Sequence, residues 1–251
     1  MAVSQRGSKQ EILTLLGQAE LVEVLTALAG YPPEKLLNPL FSGICSGSEK
    51  IKWNAVSAMG ATVARLADQD LEAARVVMRR FMWNLNDESG GIGWGTPEAM
   101  AECLARHAGL AGEYTKILVS FMREDGFYLE LPALQRGLLW GIARLAEVRP
   151  ELLRTWQAPR YLLPYLDSED PIVRALASLA LGRLRVVEAA ARIKQCSDET
   201  TEFSLYAGQR LTTVTTGQLA RAALAALAPV PEEPHSFTSP PTHCIRGREV
   251  L

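Results

Sequence analysis

Five stretches of this chain share one apolar pattern at a near-constant spacing, and that periodicity limits the fold more than any other feature of the sequence. The clearest copy is Asp170-Pro171-Ile172-Val173-Arg174-Ala175-Leu176-Ala177-Ser178-Leu179-Ala180-Leu181-Gly182-Arg183-Leu184. Asp170 can accept a hydrogen bond from the free amides of a helix, and Pro171 suits the first helical position, where its missing N–H costs nothing. Val173, Leu176, Ala177, Ala180, Leu181 and Leu184 then recur at spacings of three and four and form one apolar stripe. Such a helix must bury its stripe against a partner.

Anchored on Arg174, the same pattern recurs around Arg136 (Leu138, Leu139, Ile142, Ala143, Ala146), around Glu98 (Met100, Ala101, Leu104, Ala105, Ala108) and around Arg221 (Ala223, Leu224, Leu227, Ala228). A fifth copy around Lys52 includes Ala55, Ala58 and Met59 but puts Asn54 where an apolar residue belongs. The anchors Lys52, Glu98, Arg136, Arg174 and Arg221 are separated by 46, 38, 38 and 47 positions, in or near the range of two-helix repeats. The first helices of the pairs are read at Leu71 to Leu85, Tyr114 to Met122, Leu152 to Leu166 and Val186 to Ile193, the third broken by Pro159 and Pro164. Gln10 to Ala29 and Glu34 to Phe41 read as one further pair that closes the end of the stack. The expected fold is all-α, an α-solenoid of stacked helical pairs.

Two segments depart from the repeat. Phe203 to Tyr206 and Leu211 to Val214 flank Ala207-Gly208-Gln209-Arg210 with the β-branched and aromatic content of a short hairpin, inserted before a last helix capped by Thr215 or Thr216. After Ala228 the chain is rich in proline and poor in apolar residues. The expected organisation is therefore a flexible N-terminus over 1–9, a repeat domain over 10–228 and a proline-rich tail over 229–251 that is disordered alone.

The segment Asp170 to Leu184 resembles the HEAT-like repeat of the phycobilisome-lyase type. Together with Trp83-Asn84-Leu85-Asn86-Asp87-Glu88-Ser89-Gly90-Gly91-Ile92-Gly93-Trp94-Gly95-Thr96-Pro97-Glu98-Ala99-Met100, it is similar to a bacterial HEAT-like group associated with anaerobic sulfate and metal reducers. The resemblance covers roughly residues 10 to 228 and implies a HEAT-like superhelix; it carries over no catalytic residue.

Charge narrows the partners. A formal net charge of −2 lacks the basic excess of a general nucleic-acid binder. No apolar run approaches the roughly 20 residues that span a bilayer, and no leader-like N-terminus is visible, so a cytoplasmic protein that spans no membrane is expected. Four scattered cysteines, Cys45, Cys103, Cys196 and Cys244, form no CxxC pair, and three are expected to be buried as small apolar residues.

The most unusual stretch is the connection from Asn84 to Glu98, where Gly90, Gly91, Gly93 and Gly95 accompany Trp83, Asn86, Asp87, Glu88 and Trp94. Glycine admits positive φ and close approach of backbone or ligand at an entropic cost that ordinary helix connections avoid. One reading packs Trp83 and Trp94 between neighbouring repeats under a tight glycine turn; a second makes the loop a surface for a protein partner; a third makes it a ligand or catalytic site, with Asp87 and Glu88 the weak catalytic candidates. Thr96-Pro97-Glu98 opens a helix whose free amides attract an anion, but Asp87, Glu88 and Glu98 oppose a phosphate there and no Walker lysine follows. A groove lined by Trp53, Trp83, Trp94 and Trp140 suits a flat tetrapyrrole, as the lyase-type resemblance suggests. A DNA-glycosylase reading would use Asp87 between Trp83 and Trp94 but lacks a basic groove.

Metal chemistry is poorly supplied. Glu98, Glu102 and Arg106 share a helix face and His107 follows, yet His107 is the one histidine outside the tail, and the His-Glu dipeptides of iron-binding HEAT-like hydroxylases do not occur. No metal site and no cofactor are expected. Arg136 and Arg174, with Arg221, hold equivalent repeat positions and either pair internally, with Asp167 or Asp170 at hand, or form a basic stripe for an acidic partner. The leading function is a protein–protein interaction scaffold that binds a protein or peptide through its concave face and the 84–98 loop, at Trp83, Asn86, Asp87, Glu88, Gly90, Gly91, Gly93, Trp94, Glu98, Arg136 and Arg174. The alternative is an enzyme or bilin-handling protein using the same loop.

Overall fold

The computed structural model describes residues 5–86 and 93–228. Its helices are α1 (Gln5–Gln18), α2 (Leu21–Ala29), α3 (Pro33–Ile44), α4 (Glu49–Gln69), α5 (Leu71–Asn86), α6 (Thr96–Arg106), α7 (Ala108–Ser120), α8 (Pro132–Val148), α9 (Pro150–Thr155), α10 (Ala158–Leu162), α11 (Pro171–Arg183), α12 (Ala190–Gln195) and α13 (Thr216–Leu227). One antiparallel hairpin, β1 (Glu202–Ala207) and β2 (Arg210–Thr215), precedes α13. None of these helices is long and apolar enough to cross a membrane.

The five repeat anchors fall on α4, α6, α8, α11 and α13, and these helices pack side by side in that order as one inner row. Helix α3 extends the row at its N-terminal end. Helices α5, α7, α9 with α10, and α12 form the outer row. The stripes of α8 and α11 are buried along their whole length, each large side chain contributing about 1.5–3 kcal/mol of burial. In α6 the stripe ends at Ala105, because the helix stops at Arg106 and the exposed Ala108 begins α7. In α13 Leu219, Ala220 and Ala223 are buried, while Leu224 and Leu227 pack against the core partly exposed.

The fifth copy has a simple explanation. Asn54 is buried on α4 and its Nδ2 donates to the carbonyls of Leu16 (2.9 Å) and Ala19 (3.3 Å), so a polar residue closes the free end of α1 at a core position. The N-terminal pair also differs from expectation, since Gln10 to Ala29 is two helices. The chain turns at Glu20, whose amide donates to Glu23 Oε2 (3.2 Å) at the start of α2. The break expected at Pro159 and Pro164 is present. Gln157 takes φ +56°, Pro159 opens α10, and Pro164 opens a 3-10 turn over Leu163–Asp167. As expected, Thr215 caps α13: its Oγ1 accepts from the Gln218 amide (3.2 Å) and Gln218 Oε1 accepts from the Thr215 amide (2.8 Å).

Helix α8 approaches α6 more closely than ordinary side chains allow. A Cβ on Gly141 would lie 2.6 Å from Ala101 Cβ and 3.3 Å from the Pro97 carbonyl oxygen. Gly141→Ala is therefore expected to cost about 1–3 kcal/mol by overpacking, whereas Gly112→Ala, in an exposed turn of α7 with open space around it, should gain about 0.5–1 kcal/mol. Urea denaturation of the two variants checks both signs.

Candidate functional site

The centre of the inner row is acidic and buried. Glu98 and Glu102 lie one turn apart on α6 and are 3% and 4% exposed, although both are ionisable and burial of an unpaired carboxylate is expensive. Each is met by a cation from a neighbouring helix. Lys52 Nζ of α4 lies 2.8 Å from Glu98 Oε1, and Arg144 Nε of α8 lies 2.9 Å from Glu102 Oε2, with Arg106 Nε 2.6 Å from Glu102 Oε1. Among the described residues Glu98 Oε2 has no hydrogen-bond partner, and it packs against Gly137, where a Cβ would stand 2.4 Å away.

Above these carboxylates the row curves until residues from α4 and α8 meet across α6. The rings of Trp53 and Trp140 are 4.7 Å apart. This contact spans α6 on the open side of the inner row. Tyr206 of β1 fills the remaining space: its ring stacks on Trp53 (4.8 Å, 9°), its hydroxyl is 2.8 Å from Ser57 Oγ, and its backbone carbonyl accepts from Trp140 Nε1 (2.7 Å). Burial pushes the Tyr206 phenol above its ordinary pKa, against the Ser57 hydrogen bond. Trp53 Nε1 donates to Glu49 Oε2 (3.1 Å), so both indole N–H groups have a partner.

The hairpin crosses the concave face and divides it. Its two-residue tip, Gly208 and Gln209 at φ +56° and +64°, closes the register from Ala207↔Arg210 to Glu202↔Thr215. On one side lies a compartment of about 420 Å³ walled by Trp53, Trp94, Trp140 and Phe203, with Lys52 and Glu98 at its floor. On the other lies one of about 200 Å³ beside Arg106, Arg144 and Arg183. Burial pushes the Arg183 guanidinium below its usual pKa, with Glu147 opposing the fall and Arg144 adding to it.

The residues read as candidates from sequence separate into distinct places. Trp94 is 43% exposed and stands at the rim of the larger compartment. Gly95 precedes α6 at φ +71°, where a Cβ would meet the Ile44 carbonyl oxygen at 2.2 Å, so only glycine fits. Trp83 is 75% exposed on α5, beside Val76, Arg79 and Arg80. The expectation that Trp83 packs with Trp94 between repeats is therefore corrected, as is the four-tryptophan groove: three of the four, Trp53, Trp94 and Trp140, share a compartment. Asn86 is exposed at the end of α5, Gly93 is buried against Asn84, and Asp87, Glu88, Gly90 and Gly91 lie outside the described residues.

The repeated arginines form an internal ladder. Arg136 grips Asp170 Oδ2 of the next repeat through Nε (2.8 Å) and Nη2 (2.7 Å), Arg174 grips Glu199 Oε1 (2.9 and 2.8 Å), and Arg221 donates to the Ser197 carbonyl. His107 caps α7, its Nδ1 accepting from the Leu110 amide (3.1 Å). Cys103 and Cys196 are buried, but Cys45 is exposed, contrary to the expectation of three buried thiols, and Cys244 lies outside the described residues. The Cys45 thiol donates to the Trp94 carbonyl (3.5 Å), and partial burial with the Glu98 charge raises its pKa. Sequence reasoning placed Glu98 and Glu102 on one face but missed Lys52, Arg144, Ser57 and Tyr206, whose roles depend on which helices become neighbours.

Lys52→Met should destabilise the protein by about 3–5 kcal/mol, because it leaves the Glu98 carboxylate buried without a counter-charge, and adding Glu98→Gln should recover much of that loss. Chemical denaturation of the two variants measures this. A Lys52→Met cost below about 1 kcal/mol would match a solvent-exposed pair and contradict the burial described.

No family model and no curated protein matches the sequence. The fold does have solved counterparts. A designed armadillo repeat protein superposes with a TM-score of 0.53 at 17% identity, over 90% of this chain and 96% of that one. A computationally designed armadillo repeat protein for modular peptide recognition gives a TM-score of 0.51 at 18% identity, over 89% and 93%. The likeness is one of fold: this chain is an armadillo-like helical repeat.

Proposed function

We propose that the chain is a binding scaffold that holds an extended segment of another protein against its concave face, with an apolar or aromatic side chain anchored in the larger compartment. The observation that carries this reading is Trp94, an indole left 43% exposed at the mouth of an aromatic-walled space of about 420 Å³. Exposed tryptophan over a concave apolar site is the composition of interface hot spots, where indoles contribute most when a partner excludes water from them. The nearby charges are already engaged, Lys52 with Glu98 and Arg136 with Asp170, so recognition there falls to aromatic faces rather than to free cations. The use of one designed protein of similar fold for peptide recognition fits this reading. Trp94 also brings the C-terminal end of the glycine-rich connection to the compartment, which gives that segment a part in holding the partner.

The alternative is an enzyme or bilin-handling protein that uses the same loop, with Trp53, Trp94 and Trp140 as the aromatic walls and Trp83 standing away from the compartment. The finer assignment of the repeats to the phycobilisome-lyase type belongs to the same proposal and rests on the Asp170 to Leu184 pattern.

Selection of displayed peptides on the immobilised protein is expected to enrich sequences with an aromatic or large aliphatic anchor. Trp94→Ala should weaken the selected peptides at least tenfold, equivalent to about 1.4 kcal/mol, while Trp83→Ala leaves them unchanged. Selected peptides that bind Trp94→Ala as tightly as the parent protein would overturn the reading.

A further inference from the structure

Strand β1 lines both compartments of the face proposed above for a partner segment. It is an extended segment, its Tyr206 ring stacks on Trp53 beside Trp140, and the Tyr206 backbone carbonyl accepts the Trp140 indole N–H. Trp140 therefore reads a backbone group that any extended chain supplies, and the stacked Trp53 face accepts any aromatic ring. The two compartments on either side of the strand are the parts of one groove that the hairpin leaves open.

The hairpin is attached in a way that suits replacement. Its buried residues are Leu205 and Tyr206, while Arg210 to Thr213 of β2 are exposed. The strand backbones come close to the inner helices at few points, apart from β2 where it runs into α13. Its base is fixed independently: the Thr216 amide donates to the Thr201 carbonyl (2.9 Å) and the Gly217 amide to the Glu199 carbonyl (3.0 Å). The hairpin can thus lift from the groove while α13 keeps its start and its capping box.

We infer that β1 is a resident occupant of the partner site, displaced when an extended segment of another protein stacks its own aromatic side chain on Trp53, beside Trp140. The inference rests on the groove-binding reading above and names the partner's chemistry: an extended chain with one aromatic residue in the place of Tyr206. The intact hairpin competes as a tethered ligand at the millimolar effective concentration of a short connection, so it sets an affinity threshold that weak segments do not pass.

The test uses the hairpin's own strand as probe. In one variant Phe203–Val214 is replaced by Asn-Gly, which closes the Glu202↔Thr215 pair with a two-residue turn; in a second, full-length variant Tyr206→Ala empties the cleft. The probe is a labelled synthetic peptide of residues 201–207, Thr-Glu-Phe-Ser-Leu-Tyr-Ala, and binding is read by polarisation together with quenching of tryptophan emission. Both variants are expected to bind it at least tenfold more tightly than the intact protein, and a probe with alanine in place of its tyrosine should lose at least tenfold. Equal binding by the intact protein and a folded variant overturns the inference, and so does indifference to the probe's tyrosine. Neither result touches the groove reading, which fails separately if displayed peptides ignore Trp94.

Discussion

The close seating of α6 between α4 and α8 is the constraint on which the rest of the inner row depends. Gly137 and Gly141 let α8 approach until Ala101 and Glu98 lie where its own side chains would stand. At that distance the two α6 carboxylates are almost wholly buried, and each neighbour brings a cation, Lys52 from one side and Arg144 from the other. The net stability of such buried pairs is small, since desolvation offsets most of the attraction. Their effect is on register: a sliding helix would leave a carboxylate without its cation, which costs far more than an imperfect apolar contact. The same closeness brings Trp53 and Trp140 together over α6, where they form part of the aromatic wall of the larger compartment.

Charge in this molecule is used mainly for internal joints. Arg136 with Asp170 and Arg174 with Glu199 tie successive repeats along one edge, while Glu102 is shared between Arg106 and Arg144. A near-neutral total composed of pairs of this kind leaves little free field to steer a charged ligand. What the concave face offers instead is ring surface, from Trp53, Trp94, Trp140 and Phe203. A scaffold of this type discriminates by shape and by which side chain fits, more than by long-range attraction.

The stack was legible because its signal is local and repeated. Val173, Leu176 and Ala177 announce a stripe within one turn, and the same interval returns at Leu138 and Met100. The hairpin was legible for the same reason, from alternating β-branched and aromatic residues around Gly208. Where it would lie was not, since Ser57 and Tyr206 meet across 149 positions and nothing near either residue encodes the other. Asn54 misled the register because a polar residue at a core position looks like a mismatch until the carbonyls of Leu16 and Ala19 arrive beside it. Trp83 misled in the opposite direction: its proximity in sequence to Trp94 says nothing about the side of the molecule on which the end of α5 presents it. For the site as a whole, the residue types were visible and the neighbours were not, because the Lys52–Glu98 and Arg144–Glu102 pairs and the Trp53 contacts with Trp140 and Tyr206 cross from one repeat to another.

The aromatic cleft also explains why a solenoid of this size carries a hairpin at all. Curving the row tightly enough to bring Trp53 against Trp140 creates an apolar hollow with an indole N–H inside it, and an uncovered hollow of that kind invites non-specific association. The strand laid over the face covers it, supplying a ring for Trp53, a carbonyl for Trp140 and a hydroxyl for Ser57 from the single residue Tyr206. Of these, the ring and the carbonyl are generic and the hydroxyl belongs to tyrosine, so the features that make the hairpin a good cover are the same ones that make it replaceable by a strand with a tyrosine at that point.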